Sequence, residues 1–406
     1  MPDNLFDAKF LLRALRHRNY RLFFIGQSVS LVGSWMQMIA MSWLVYRLTH
    51  SAFLLGIIGF LSQAPTLFIS PFAGALADRW NRKSILVITQ ILAMGQAFIL
   101  AALVYTHTIQ VWHIVALSAL SGFGAAFDAP ARQAFIVDIV DNRADLGNAI
   151  ALNSLLFNGA RLVGAPIAGI VIALKGEGAC FLLNGLSFFT IIVALYAMRV
   201  KIAAPHRQSA IIRDLKEGWR YVVGYPLIRN ILFLIALVSL IGMSYMVLMP
   251  ILAKDILGGG AHTLGFLMGA SGFGAVSGAL YLASEKNADR LIAQIPSATL
   301  VFGIALASLS FSRNLTLSLL LMVLVGFGMI TQMVSSNMVL QHITDDDKRG
   351  RVMSFYTIAF MGMVPFGSLF GGSIASKIGV PHTLLLSGLA CIAGSFLYGG
   401  SFRKPL

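Results

Sequence analysis

Apolar residues run along this chain in long stretches broken by short polar connections. Twelve such stretches are legible, at about 22–46, 52–77, 84–105, 109–131, 149–173, 178–198, 231–252, 262–283, 291–311, 315–341, 352–376 and 381–402. A helix needs roughly 20 residues to cross a hydrocarbon core about 30 Å thick, and each stretch is long enough. None shows the strict in–out alternation of barrel strands. The pattern therefore predicts an all-α membrane protein with twelve transmembrane helices.

The stretches repeat. Sliding the chain by 203 residues lays Gly159 on Gly362, Gly164 on Gly367, Gly169 on Gly372, Gly176 on Gly379 and Gly185 on Gly388. A shift of 204 lays Gly122-Phe123-Gly124 on Gly326-Phe327-Gly328. Two pseudo-symmetric six-helix bundles are expected, at 22–198 and 231–402. They are flanked by a basic arm (1–21), joined by a linker (199–230) and followed by a tail (403–406). A duplicated, glycine-punctuated apolar chain is the plan of transporters whose halves rock about a central site. Gly265, Gly269, Gly274 and Gly278 add close-packing positions, and Pro65, Pro71, Pro166, Pro250 and Pro365 add places to bend.

Composition agrees. Hydrophobic residues make up 57% of the chain and charged residues 11%, against about a quarter charged in soluble domains. The net charge of +14 invites a nucleic-acid reading, but its distribution rejects one. With the N-terminus in the cytoplasm, 24 Lys and Arg residues fall on that side and five on the other. That asymmetry orients a multi-pass protein of the inner membrane with both termini cytoplasmic. The stretch from Ile211 to Tyr221 reads as a basic amphipathic helix at the cytoplasmic interface, with Trp219 and Tyr221 at headgroup depth; Lys9 to Arg21 reads as its counterpart. Membrane lipid is the expected surrounding partner. The first apolar run is long enough to span and stay, so no cleavable signal is expected. Cys180 and Cys391 sit in apolar runs as packing residues.

A few charged and polar positions interrupt the spans. Arg161 falls near the middle of the fifth, where an arginine costs roughly 2.5–3.5 kcal/mol to insert. It can attract an anionic substrate group, set the protonation of a nearby acid, or donate to backbone carbonyls. Asp128 ends the fourth span as a gate ion pair, a proton-coupling carboxylate or a helix-end residue. Gln27, Ser30, Ser34 and Gln37 lie on one face of the first span. Asn153 and Asn158 precede Arg161 at similar spacing, and Ser239, Tyr245, Gln332 and Ser336 interrupt the second half. Together with Arg161 these outline a cavity for an amphipathic small molecule. The repeat sets Gln332 opposite Asp128, Ser336 opposite Arg132 and Val364 opposite Arg161, which concentrates charge chemistry in the first half.

The connection after the second span reads Gly74-Ala75-Leu76-Ala77-Asp78-Arg79-Trp80-Asn81-Arg82-Lys83. It resembles the signature loop of the major facilitator superfamily, with Asn81 where that family usually has glycine; asparagine tolerates the left-handed backbone a tight turn there would use. The resemblance implies that Gly74, Asp78, Arg79, Arg82 and Lys83 form a conformational switch with Asp128 and Arg132, in which Asp128 bonds Arg82. A second block runs from Phe127-Asp128-Ala129-Pro130-Ala131-Arg132 through Gly147-Asn148 to Arg161 and Gly164-Ala165-Pro166. It resembles the exporter branch that includes the enterobactin exporter and macrolide efflux pumps. That likeness implies a bacterial, monomeric secondary transporter exporting a siderophore, macrolide or other drug against inward proton flow. A lysophospholipid flippase and a non-transporting sensor or scaffold are the rival readings. No nucleotide-binding loop, metal-ligand cluster or catalytic triad can be read, so neither a cofactor, a metal nor an enzymatic activity is expected.

Overall fold

A computed structural model of the chain describes residues 12–77, 80–140, 142–200, 211–283, 285 and 287–399. All regular structure among them is helical. The first six helices are α1 (Arg18–Thr49), α2 (Ala52–Ala77), α3 (Arg82–Tyr105), α4 (Val111–Ile139), α5 (Leu146–Lys175) and α6 (Glu177–Ala197). After α7 (Ile211–Gly224) come α8, spanning Pro226–Ile256, α9 (Ala261–Ala283), α10 (Ala288–Phe311) and α11 (Leu315–Ile343). Last are α12, spanning Arg349–Ile378, and α13 (Val380–Gly399). Among the described residues 12 helices are long and apolar enough to cross a membrane, all but α7. The twelve expected spans are therefore all present.

Two helices are irregular. α8 passes through a 3-10 turn at Gly242–Ser244 and a π turn at Leu252–Ile256 just after Pro250. α12 carries a π turn at Ile358–Gly362, shortly before Pro365. Proline withholds an N–H from the helical ladder, and wide turns absorb the mismatch.

The repeat has a structural cause. Gly176 and Gly379 end α5 and α12 with φ of 78° and 82°, a backbone that side chains with a Cβ avoid. Gly164 and Gly367 serve close crossing instead. A Cβ on Gly164 would lie 2.8 Å from the Val32 carbonyl oxygen of α1, and one on Gly367 would lie 2.5 Å from that of Leu240 on α8. Asn81 departs from expectation. Its φ is −65°, and its side chain accepts the Lys83 backbone N–H at 3.0 Å. It caps α3 rather than turning left-handed, and Asn287 caps α10 in the same way.

Packing divides the chain into two compact units, Met1–Met41 with Pro65–Arg207, and Ser42–Ala64 with Gln208–Leu406. In the first, Tyr20 and Phe23 of α1 pack with Leu86 of α3, Phe135 and Ile139 of α4, and Ile191 of α6. The described part of the basic arm docks there, with a 3-10 turn at Arg13–Arg16. Arg13 and His17 reach Asp145 at 3.1 and 2.9 Å, Ala14 is fully buried, and α1 already begins at Arg18.

In the second unit, Ile228, Ile231 and Ile235 of α8 pack with Leu291 and Ile295 of α10 and with Val339 and Leu340 of α11. Residues 42–64, which the repeat assigns to the first bundle, join this unit through their own contacts. Gly56 lies against Gly372, Phe60 meets Phe366 edge-on at 5.6 Å, and Tyr46 donates a hydrogen bond to Asp255. α7 forms where its amphipathic pattern places it. Glu217 pairs with Arg351 at 3.0 Å, Tyr221 donates to Asp345 at 3.1 Å, and Trp219 stays half exposed.

Candidate functional site

The expected switch separates into two pairs on α3 and α4. One nitrogen of Arg82 donates to both carboxylate oxygens of Asp138 at 2.9 Å. The expected bond from Arg82 to Asp128 is not made. The reason is helical geometry: Asp138 lies ten residues beyond Asp128, about 15 Å along α4 at 1.5 Å per residue, beside the first residue of α3. Lys83 donates to the Met198 carbonyl at 2.9 Å and so satisfies the end of α6. Gly74 belongs to α2; Asp78 and Arg79 lie outside the described residues.

Asp128 has other partners. Its Oδ1 accepts from Thr89 Oγ1 at 3.0 Å and from Gln90 Nε2 at 2.7 Å. Its Oδ2 accepts from Arg132 Nε at 2.8 Å and also from Nη2. An i, i+4 spacing on α4 brings acid and base together, while α3 supplies the neutral donors. This cluster borders a cleft of about 130 Å³ that is also lined by Gln96 and Ser121, room for several waters. Sequence reasoning missed Thr89, Gln90, Gln96 and Asp138. A polar pair inside the apolar run of α3 was the available signal for the first two.

From the cleft a line of amides crosses the unit. Gln96 Nε2 donates to the Leu117 carbonyl at 3.3 Å, Gln37 Nε2 donates to Gln96 Oε1 at 2.8 Å, and Asn184 Nδ2 donates to Gln37 Oε1 at 2.8 Å. Gln37 thus ties α1 to α3 and α6. On the same helix Gln27 and Ser30 are buried, and Ser34 donates to the Ser30 carbonyl at 2.9 Å. On α5, Asn153 is half-buried and Asn158 donates back to the Ser154 carbonyl at 2.9 Å. Arg161 is buried, with its guanidinium 5.5 Å from the centre of the Trp35 ring. Cation–π attraction offsets part of the cost of a buried charge.

In the second unit Ser239 is buried and Tyr245 Oη lies 3.3 Å from Ser271 Oγ. Gln332 and Ser336 are fully buried one turn apart on α11. Among the described residues no group of three or more His, Cys, Asp or Glu is placed to hold a metal ion.

Residues 11–403 match the family model described as transmembrane secretion effector. The chain therefore belongs to this family of major facilitator transporters. It is 26% identical over 385 residues to the staphyloferrin A transporter of Staphylococcus aureus, covering 95% of this chain and 96% of that one. It is 22% identical to macrolide efflux protein A of Streptococcus pyogenes, over 93% and 96% of the two chains. It is 23% identical to the enterobactin exporter EntS of Shigella boydii, over 94% and 90%. Its fold matches a bacterial homolog of the human lysosomal transporter Spinster, in an inward-facing and occupied conformation. The TM-score is 0.76 at 13% identity, over 96% and 97% of the chains. The protein is a multi-pass secondary transporter of the bacterial inner membrane working by alternating access, and not an enzyme.

Proposed function

We propose that this transporter exports an amphipathic small molecule, a siderophore, macrolide or other drug, against an inward flow of protons, and that Asp128 carries the proton. The observation behind the reading is the Asp128 carboxylate at the edge of a cleft, held by two neutral donors and one cation. When ionised, it holds Arg132. When protonated, it loses the charge that holds the guanidinium, and Arg132 is released. Such a release on α4 is a two-state element that a proton biases.

Asp128 serves coupling, while the Arg82–Asp138 pair and Lys83 form the switch that sets the resting conformation. Within the first unit, Gln27, Ser30, Asn153 and Asn158 supply hydrogen bonds to the substrate. The names of the relatives support the substrate class, and the transporter acts as a monomer. Inside-out vesicles with an acid lumen test the reading. They should accumulate at least one of enterobactin, staphyloferrin A or erythromycin, and a protonophore should abolish the accumulation. Accumulation at the full rate with the gradient collapsed would reject proton coupling.

A further inference from the structure

Four buried polar atoms on α11 have no hydrogen-bond partner among the described residues. They are Thr331 Oγ1, both amide atoms of Gln332, and Ser336 Oγ. Gln332 and Ser336 have no exposed surface and Thr331 has 3%. Buried amides and hydroxyls in folded proteins are almost always bonded, because an orphaned one forfeits its hydration without return. Four within six residues mark a place whose partners come from outside the fold. Packing limits where the cluster sits. Gly328, one turn before Gln332, lies against Ala298 and Phe302 of α10, and Ser335 donates to Gln294 of α10 at 3.5 Å. Gln332 and Ser336 thus continue the α10-facing side of α11 by helical spacing.

The repeat gives the cluster meaning. At 204 residues, Gln332 corresponds to Asp128, Ser336 to Arg132 and Gln294 to Gln90. In the first half Gln90 Nε2 and Arg132 both donate to Asp128, and Gln90 Oε1 is left without a partner among the described residues. The second-half residues keep the positions and replace the charges with an amide and a hydroxyl that remain unsatisfied. An ionic group there would be buried without a counter-charge, which costs far more than burying a neutral one. A neutral donor-and-acceptor group meets the amide on both its atoms.

We infer that Thr331, Gln332 and Ser336 form a recognition site for an uncharged hydrogen-bonding group of the substrate, an amide or hydroxyl. This rests on the transport reading and deepens it: the first half handles the proton, and the second half reads the neutral polar part of the cargo.

The test has a stability arm and a ligand arm, both on the full-length protein. Without ligand, Gln332→Leu should melt higher than the wild type by about 2 °C, because two orphaned polar atoms are removed. With enterobactin, staphyloferrin A or erythromycin, whichever the wild type moves, Gln332→Leu and Ser336→Ala should raise KM at least tenfold, with Gln332→Asn in between. A Gln332→Leu protein that melts lower would overturn the inference, since the amide would then be satisfied inside the fold. An unchanged KM in both variants would also overturn it, leaving structural water as the occupant. If the wild type moves none of the probes, the export reading fails, while a higher melting temperature would still support a neutral site.

Discussion

Arg82 at the start of α3 and Asp138 at the end of α4 are joined through one guanidinium nitrogen that donates to both carboxylate oxygens at 2.9 Å. The side chains are 21% and 14% exposed, so the pair is largely out of water. Its strength should be that of charged hydrogen bonds, roughly 2–3 kcal/mol. A double-mutant cycle on thermal unfolding in detergent checks the pairing. Arg82→Ala and Asp138→Ala should be coupled by about 2–3 kcal/mol, and Arg82→Ala with Asp128→Ala by about zero.

The repeat's glycines should divide into two kinds when replaced by alanine. Gly164 faces the Val32 carbonyl, and an added Cβ has nowhere to go, so Gly164→Ala should cost about 1–3 kcal/mol. Gly159 has nothing within 4 Å of its missing Cβ. Gly159→Ala should stabilise α5 by up to about 1 kcal/mol through helix propensity. Melting temperatures of the two variants should therefore move in opposite directions.

α7 is fastened to the rest of its unit by Glu217–Arg351 at 3.0 Å, by Tyr221 to Asp345, and by the contact of Gly218 with Arg351 and Phe355. Burial pushes the Tyr221 phenol above its ordinary range, so the donor keeps its proton well into the alkaline range. Glu217→Gln combined with Tyr221→Phe should release the helix. Hydrogen exchange across 217–224 should then speed up at least tenfold, with exchange in α11 unchanged.

Much of this was legible in the sequence because lipid leaves few choices. A backbone in hydrocarbon must bond to itself, so apolar length alone places every span, and Gly176 with Gly379 marks equivalent turns. Pairing is harder. Asp128 and Asp138 are both acids in the second half of one helix, and only the 1.5 Å rise of that helix decides which meets Arg82. Thr89 and Gln90 are ordinary interruptions of an apolar run until α3 is laid against α4. The left-handed tolerance of asparagine points Asn81 toward a turn, whereas its commoner use at the start of a helix prevails. The amide line from Asn184 through Gln37 to Gln96 joins three helices, and no local spacing announces it.

The most direct test of the account compares Asp128→Asn with the wild type in inside-out vesicles, using a probe that the wild type accumulates. The substituted amide keeps the shape of the side chain but takes up no proton in the working range. The variant should lose accumulation driven by an acid lumen, yet keep exchange of labelled for unlabelled probe across the membrane at a rate within about threefold of the wild type. Gradient-driven accumulation that survives in Asp128→Asn would contradict the account.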